Sequence, residues 1–146
     1  MGRIRVFYDK RRNLNSSMAV KGGLLGDRVI IGIKDSPTRN EIIATIKHEK
    51  SHLLAFKGKG GVPSHYESAR RELLAYSAEK RSSSAVRWNR VLPVRIHDFL
   101  PYVSWLSKRE QGRLRPSANK ILNGKIGGGN ESKITTARNK LKNWWI

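Results

Sequence analysis

Two histidines four positions apart, the first followed directly by a glutamate, make His48-Glu49-Lys50-Ser51-His52 the stretch of this 146-residue chain best suited to chemistry. On an α-helix, positions i and i+4 differ by about 40° in azimuth and about 6 Å in height, so both imidazoles reach one ion from the same face. Neutral imidazole is a natural zinc ligand, and Glu49, one residue round the helix, can take a proton from a water on that ion. The pattern predicts a hydrolytic metal site with His48 and His52 as ligands and Glu49 as general base. Two histidines leave zinc under-coordinated, so a third protein ligand is expected, with one position left for water.

The candidates for that ligand are Glu72, Glu67, Glu79, Asp98 and His65. Glu72 lies mid-helix twenty positions beyond His52, and an antiparallel helix pair brings it opposite the histidines, with small Ala75 permitting close approach. Glu67 is better explained by a capping box, Ser64-His65-Tyr66-Glu67. Glu79, followed by Lys80 and Arg81, reads as surface charge.

The elements that must position these residues follow from periodicity. Arg3 to Asp9 alternates with period two, placing Ile4, Val6 and Tyr8 on one face of a strand. Met18 to Lys21 is a second short strand, bounded by Gly22-Gly23 and Gly26-Asp27, and Arg28 to Lys34 is the clearest strand. Short connections favour a largely antiparallel sheet. The metal-site helix is expected over about 37–57, with Ser36 as cap, Pro37 in its first turn, a stripe of Ile42, Ile46, Leu53 and Phe56, and Gly58 as its stop. A basic loop over 57–63 leads to a helix over about 65–82.

Beyond Ser82-Ser83-Ser84, Pro93 and Pro101 punctuate the chain, Arg113-Leu114-Arg115-Pro116 is basic and breaking, and Ser117 can cap a short helix ending near Asn123. Gly127 to Gly129 is a joint. The terminal stretch from Ser132 is a basic helix with Ile134, Ala137, Leu141 and Trp144 or Trp145 on one face. The expected fold is α+β: a small N-terminal, mostly antiparallel sheet packed on the active-site helix and a second ligand-bearing helix, then a basic, mainly helical C-terminal part. Residues 1–83 form the core and 84–146 an extension packed on it, within a single domain.

The formal net charge is +19, and residues 80–146 hold 15 of the 30 Lys and Arg but only 3 of the 11 acids. Such an excess favours an acidic partner, above all nucleic acid or nucleoprotein. Arg87-Trp88-Asn89-Arg90 and Lys142-Asn143-Trp144-Trp145 pair cations with aromatics that can stack on bases, although such tryptophans are more often core residues. The terminal helix can equally lie on an anionic membrane surface. The chain has no cysteine, which excludes a disulfide-stapled secreted scaffold and restricts zinc to His and carboxylate ligands. No signal-peptide pattern and no apolar run of membrane-spanning length occurs, so an intracellular, cytoplasmic protein is expected.

His48-Glu49-Lys50-Ser51-His52 followed by Glu72-Leu73-Leu74-Ala75 resembles the gluzincin group of zinc metallopeptidases, in particular small intracellular members such as the minigluzincins and the IrrE/ImmA-like and SprT-like families. The resemblance covers about residues 28–82. It implies His48, His52 and Glu72 as zinc ligands, one zinc per chain, Glu49 as general base and a peptide or protein as substrate, with nucleic-acid-associated proteins among the candidates. It also implies an extended substrate pairing with an exposed sheet edge, for which Arg28 to Lys34 is a candidate, and an oxyanion donor among Tyr76, His65 and Tyr102. Two other classes compete with the peptidase: a basic nucleic-acid-binding protein with a structural or vestigial zinc site, and a structural protein whose basic surface docks an acidic assembly.

Overall fold

The computed structural model describes residues 3–55, 62–123 and 131–145. The expected stripe residue Phe56, the stop at Gly58, most of the basic loop and the Gly127–Gly129 joint lie outside them. A three-stranded sheet comes first, built from β1 (Arg5–Asp9), β2 (Met18–Val20) and β3 (Arg28–Gly32), in the order β1-β3-β2. Five helices follow: α1 (Arg39–Ala55), α2 (His65–Arg81), α3 (Ala85–Ser104), α4 (Lys108–Ile121) and α5 (Glu131–Trp144). This is the expected α+β arrangement of an N-terminal sheet and a helical C-terminal part.

The sheet is mixed rather than mostly antiparallel. β2 pairs antiparallel with β3 through a turn in which Gly22, Gly23 and Gly26 adopt left-handed φ, but β1 pairs with β3 in parallel, Arg5 opposite Arg28 and Phe7 opposite Ile30. The link from Lys10 to Ser17, which includes a 3-10 turn at Leu14–Ser16, is long enough to carry the chain past the end of β3 to its far edge. Gly32 makes that crossing possible. A Cβ there would collide with the backbone carbonyls of Arg12 and Asn13, while the Gly32 N–H donates to Ser17 Oγ at 2.9 Å. Because β3 is flanked on both sides, Arg28 to Lys34 is not an edge. The free edges belong to β1 and β2.

Two apolar cores flank α1 and α2. In the smaller, Leu14, Val29, Ile31 and Leu53 are buried, with Ile4, Val6, Ala19, Ile33, Ile42 and Ile46 against them. Tyr8, expected on that face, is exposed. The larger core joins Leu73 and Tyr76 of α2 to Trp88, Leu92, Ile96, Phe99 and Val103 of α3, Leu114 of α4, Ile134 and Leu141 of α5, and Trp145 just beyond it. Trp88 is thus a core residue and no stacking platform, and its indole N–H donates to the Asn123 carbonyl at 2.8 Å. Of the terminal pair, Trp145 is buried and Trp144 exposed.

Pro93 and Pro101 do not break the chain. Both sit inside α3, a 20-residue helix capped by Ser84, whose side chain accepts from the Arg87 N–H. An interior proline costs a helix about 3 kcal/mol, but α3 buries six large apolar side chains at three- and four-residue spacing, each adding about 1.5–3 kcal/mol. Pro116 is likewise helical: the cap of α4 is Ser107, ten residues before Ser117, in a reciprocal capping box with Glu110. No helix among the described residues is long and apolar enough to cross a membrane.

Candidate metal centre

The cap of α1 is Thr38 rather than Ser36. Thr38 Oγ1 accepts from the Glu41 N–H at 3.2 Å, and Glu41 answers by accepting from the Thr38 N–H and hydroxyl, while Ser36 sits in the left-handed region at φ 50°. From that start, Ile42, Ile46 and Leu53 of α1 face the sheet core. His48 and His52 are then left to face α2, whose start is set by Ser64 Oγ accepting from the Glu67 N–H. Ala44 and Ala75 are both fully buried, and small side chains of this kind let two helices approach closely.

Across this seam Glu72 meets both histidines. His48 Nε2 lies 3.4 Å from Glu72 Oε1 and His52 Nε2 lies 3.2 Å from Glu72 Oε2, and the imidazole rings are 5.1 Å apart between centroids. One ligand atom from each of the three residues falls within 4.8 Å of the others. Neighbouring ligands around a four-coordinate ion with bonds of about 2.0–2.1 Å stand about 3.3 Å apart. The group can hold a metal ion.

The residue that sequence reasoning misplaced is Glu79. It is fully buried, not surface charge, and it accepts from three sides. Arg95 of α3 donates bidentately at 2.9 Å to each carboxylate oxygen, and Arg87 donates at 3.0 Å. His48 Nδ1 lies 3.2 Å from Glu79 Oε1. A carboxylate on Nδ1 keeps a proton on that nitrogen and turns Nε2 toward Glu72, the usual device for orienting a metal-binding histidine. Its sequence signal was the spacing from Glu72: seven residues is nearly two helical turns, hence the same face.

A cleft of about 200 Å³ opens on the site, lined by His48, Glu49, Glu72, Tyr76, Glu79, Arg95, Asp98 and Tyr102, with Leu14, Asn15 and Thr45 on the sheet side. Of the third-ligand candidates, Glu72 is in place and Asp98 lines the cleft. Glu67 is engaged with Arg70 and Arg71 at the start of α2, and His65 packs its ring on Trp105. Of the oxyanion candidates, Tyr76 and Tyr102 reach the cleft, whereas His65 is not among its lining residues.

The electrostatics follow from burial opposed by pairing. Burial alone would lower the His48 pKa, but its bonds to Glu72 and Glu79 outweigh that and raise it to about 9. Burial would raise Glu72 and Glu79, yet His48 and His52 bring Glu72 down to about 2, and His48 and Arg95 do the same for Glu79. Glu49 moves the other way: burial pushes its carboxyl above the usual range, partly offset by His48 and His52. Burial also raises the Tyr76 and Tyr102 phenols, which keeps both as hydrogen-bond donors at neutral pH. A scan against protein-family models finds no match, and searches of curated proteins and of solved structures likewise find none.

Proposed function

We propose that this chain is a zinc-dependent metallopeptidase. The observation that carries the reading is the grouping of His48, His52 and Glu72 with their ligand atoms within 4.8 Å of one another, with Glu49 and two tyrosines in the adjoining cleft. Two imidazoles and one carboxylate, with the His48 tautomer set by Glu79, are the donor set that zinc takes in hydrolytic sites. Bound there, zinc supplies Lewis acidity, activating a water and polarising a carbonyl.

The chain's own residues supply the rest. Glu49, its carboxyl raised by burial, accepts the water's proton and delivers it to the leaving amine, and a raised pKa brings it closer to the value suited to moving a proton near neutrality. Tyr76 or Tyr102 donates its hydroxyl to the oxyanion. The cleft meets the sheet side at Leu14 and Asn15, just before β2, so an extended peptide would run along the free edge of β2 and not along β3.

The test is metal content together with hydrolysis of a denatured protein substrate by zinc-loaded protein. Glu49→Gln is expected to keep one zinc per chain and to lose at least about 100-fold in hydrolysis. His52→Ala and Glu72→Ala are expected to lose the metal. Wild type that takes up no zinc, or undiminished hydrolysis by Glu49→Gln, would overturn the reading.

A further inference from the structure

The metal site leaves the strongest compositional feature of the chain unused. α4 and α5 together carry nine Lys and Arg against Glu110 and Glu131. All nine cations are exposed, and the ion pairs among the described residues engage none of them. They are also not spread evenly. Between the two helices runs a groove of about 330 Å³, into which α4 presents Arg115 and Asn119 and α5 presents Arg138, Asn139 and Lys142. No acid lines it.

The groove's chemistry is that of an anion-binding channel. Two guanidinium forks match the paired oxygens of a phosphate, Lys142 adds a point charge, and the two amides can bond phosphate, sugar or base. Trp145, which also lines the groove, holds its indole N–H buried with no acceptor among the described residues. The packing of α5 decides between two polyanionic partners. Ile134, Ala137, Leu141 and Trp145 are all buried in the larger core, so α5 has no apolar face left to sink into a bilayer, as an interfacial helix requires. Above a floor of Leu122, Leu141 and Trp145, the groove offers a partner cations and amides, which suit one whose charge lies along a hydrated backbone. We propose that the groove between α4 and α5 binds the phosphate backbone of nucleic acid through Arg115, Arg138 and Lys142, independently of the metal site.

The experiment is fluorescence anisotropy of a short labelled DNA, single-stranded and duplex, titrated with the full chain over a range of salt. Two triple variants with the same charge change are compared: Arg115→Glu, Arg138→Glu and Lys142→Glu in the groove, and Lys10→Glu, Arg11→Glu and Lys34→Glu on the sheet side. Wild type is expected to bind with steep salt dependence. The groove variant should lose about 100-fold or more in affinity, and its log–log salt slope should flatten by about 2–3, since each lost phosphate contact removes about 0.7–0.9. The sheet-side variant should lose less than about tenfold and keep its slope. All six positions are exposed, and circular dichroism confirms that each variant is folded; should the groove triple fail to fold, Lys142→Gln alone is expected to reduce the slope by about 0.7–0.9. Equal losses in the two triples, or no binding by wild type, overturn the interface. Polyglutamate or anionic vesicles competing as well as unlabelled DNA overturn nucleic acid as the occupant.

Discussion

Replacing Glu79 by glutamine separates a positioning role at the proposed metal centre from a bystander's. The change keeps the size of a fully buried side chain and removes one charge from a group that accepts from Arg87, Arg95 and His48. Glutamine has one acceptor oxygen where the carboxylate has two, so in either orientation its NH₂ faces Arg95 as donor against donor, and with it either His48 or Arg87. Two guanidiniums, Arg87 buried and Arg95 partly buried, also lose their counter-charge. Breaking a buried ion pair on one side costs about 3–5 kcal/mol, and the isosteric change should sit near ~3 kcal/mol, a large share of the 5–15 kcal/mol that holds a domain together. Removing the carboxylate that orients a metal-binding imidazole costs about 10–100-fold in metal affinity, or ~1.4–2.7 kcal/mol. The assay has two arms: urea unfolding of metal-free protein followed by circular dichroism, and zinc affinity by competition with a chromophoric chelator. An unfolding midpoint equal to wild type together with zinc affinity within about twofold would refute the argument, because a fully buried carboxylate on which three donors converge cannot be lost silently.

In metal-free protein, the cluster of Glu72, Glu79 and His48, facing Glu49, His52, Arg87 and Arg95, sets a pH window. The lowered carboxyls, at about 2 against 4.5, stabilise the fold above pH 4.5 and lose that contribution as pH falls toward 2; raised His48 contributes fully below 6.5 and loses it as pH climbs through about 9. Urea midpoints across pH should therefore peak between about 4.5 and 6.5, and a maximum above pH 9 would contradict this assignment. Gly32→Ala drives a Cβ into the Arg12 and Asn13 carbonyls and should cost about 2–3 kcal/mol; since that crossing carries Leu14 and Asn15 to the cleft, zinc affinity is measured alongside, and an unchanged unfolding midpoint would show that the crossing is looser than described. Thr38→Ala removes the cap of α1 and should cost about 1 kcal/mol, read by the same denaturation, whereas Ser36→Ala should be nearly neutral.

How much of this was legible depends on whether the signal was local. His48, Glu49 and His52 were, because a four-residue spacing on one helix is a complete geometric statement, and Glu72 followed once the next helix was recognised. Glu79 was misread by its neighbours: Lys80 and Arg81 follow it in sequence but point about 100° and 200° away round the helix, and Lys80 reaches the end of α4 to donate to the Lys120 and Ile121 carbonyls. The relevant comparison was with Glu72, seven residues back. α3 stayed hidden because its prolines were weighed as breakers without the apolar stripe from Trp88 to Val103 on the other side of the balance. The parallel pairing of β1 with β3 had no local signature, since it depends on where the chain crosses, and only Gly32 marks the place.

The same partition explains why the site lies where it does. α1 gives one face to the sheet core and α2 gives one face to the larger helical core, so apolar burial stabilises each half separately. The seam between them is polar, built from His48, His52, Glu72 and Glu79. Apolar packing at that seam would be worth more to stability than paired charges, which after desolvation contribute little net and are costly only when broken. A polar seam spanning two cores is instead a place where a metal can act on the whole chain, because an ion held by α1 and α2 together binds only when both halves are docked. Binding free energy then becomes folding free energy, about 4 kcal/mol for a metal at 1,000 times its dissociation constant. That is comparable to what the Glu79 network is expected to lose when one partner is removed, so the stability of this fold and the integrity of the proposed metal centre would rest on the same few side chains.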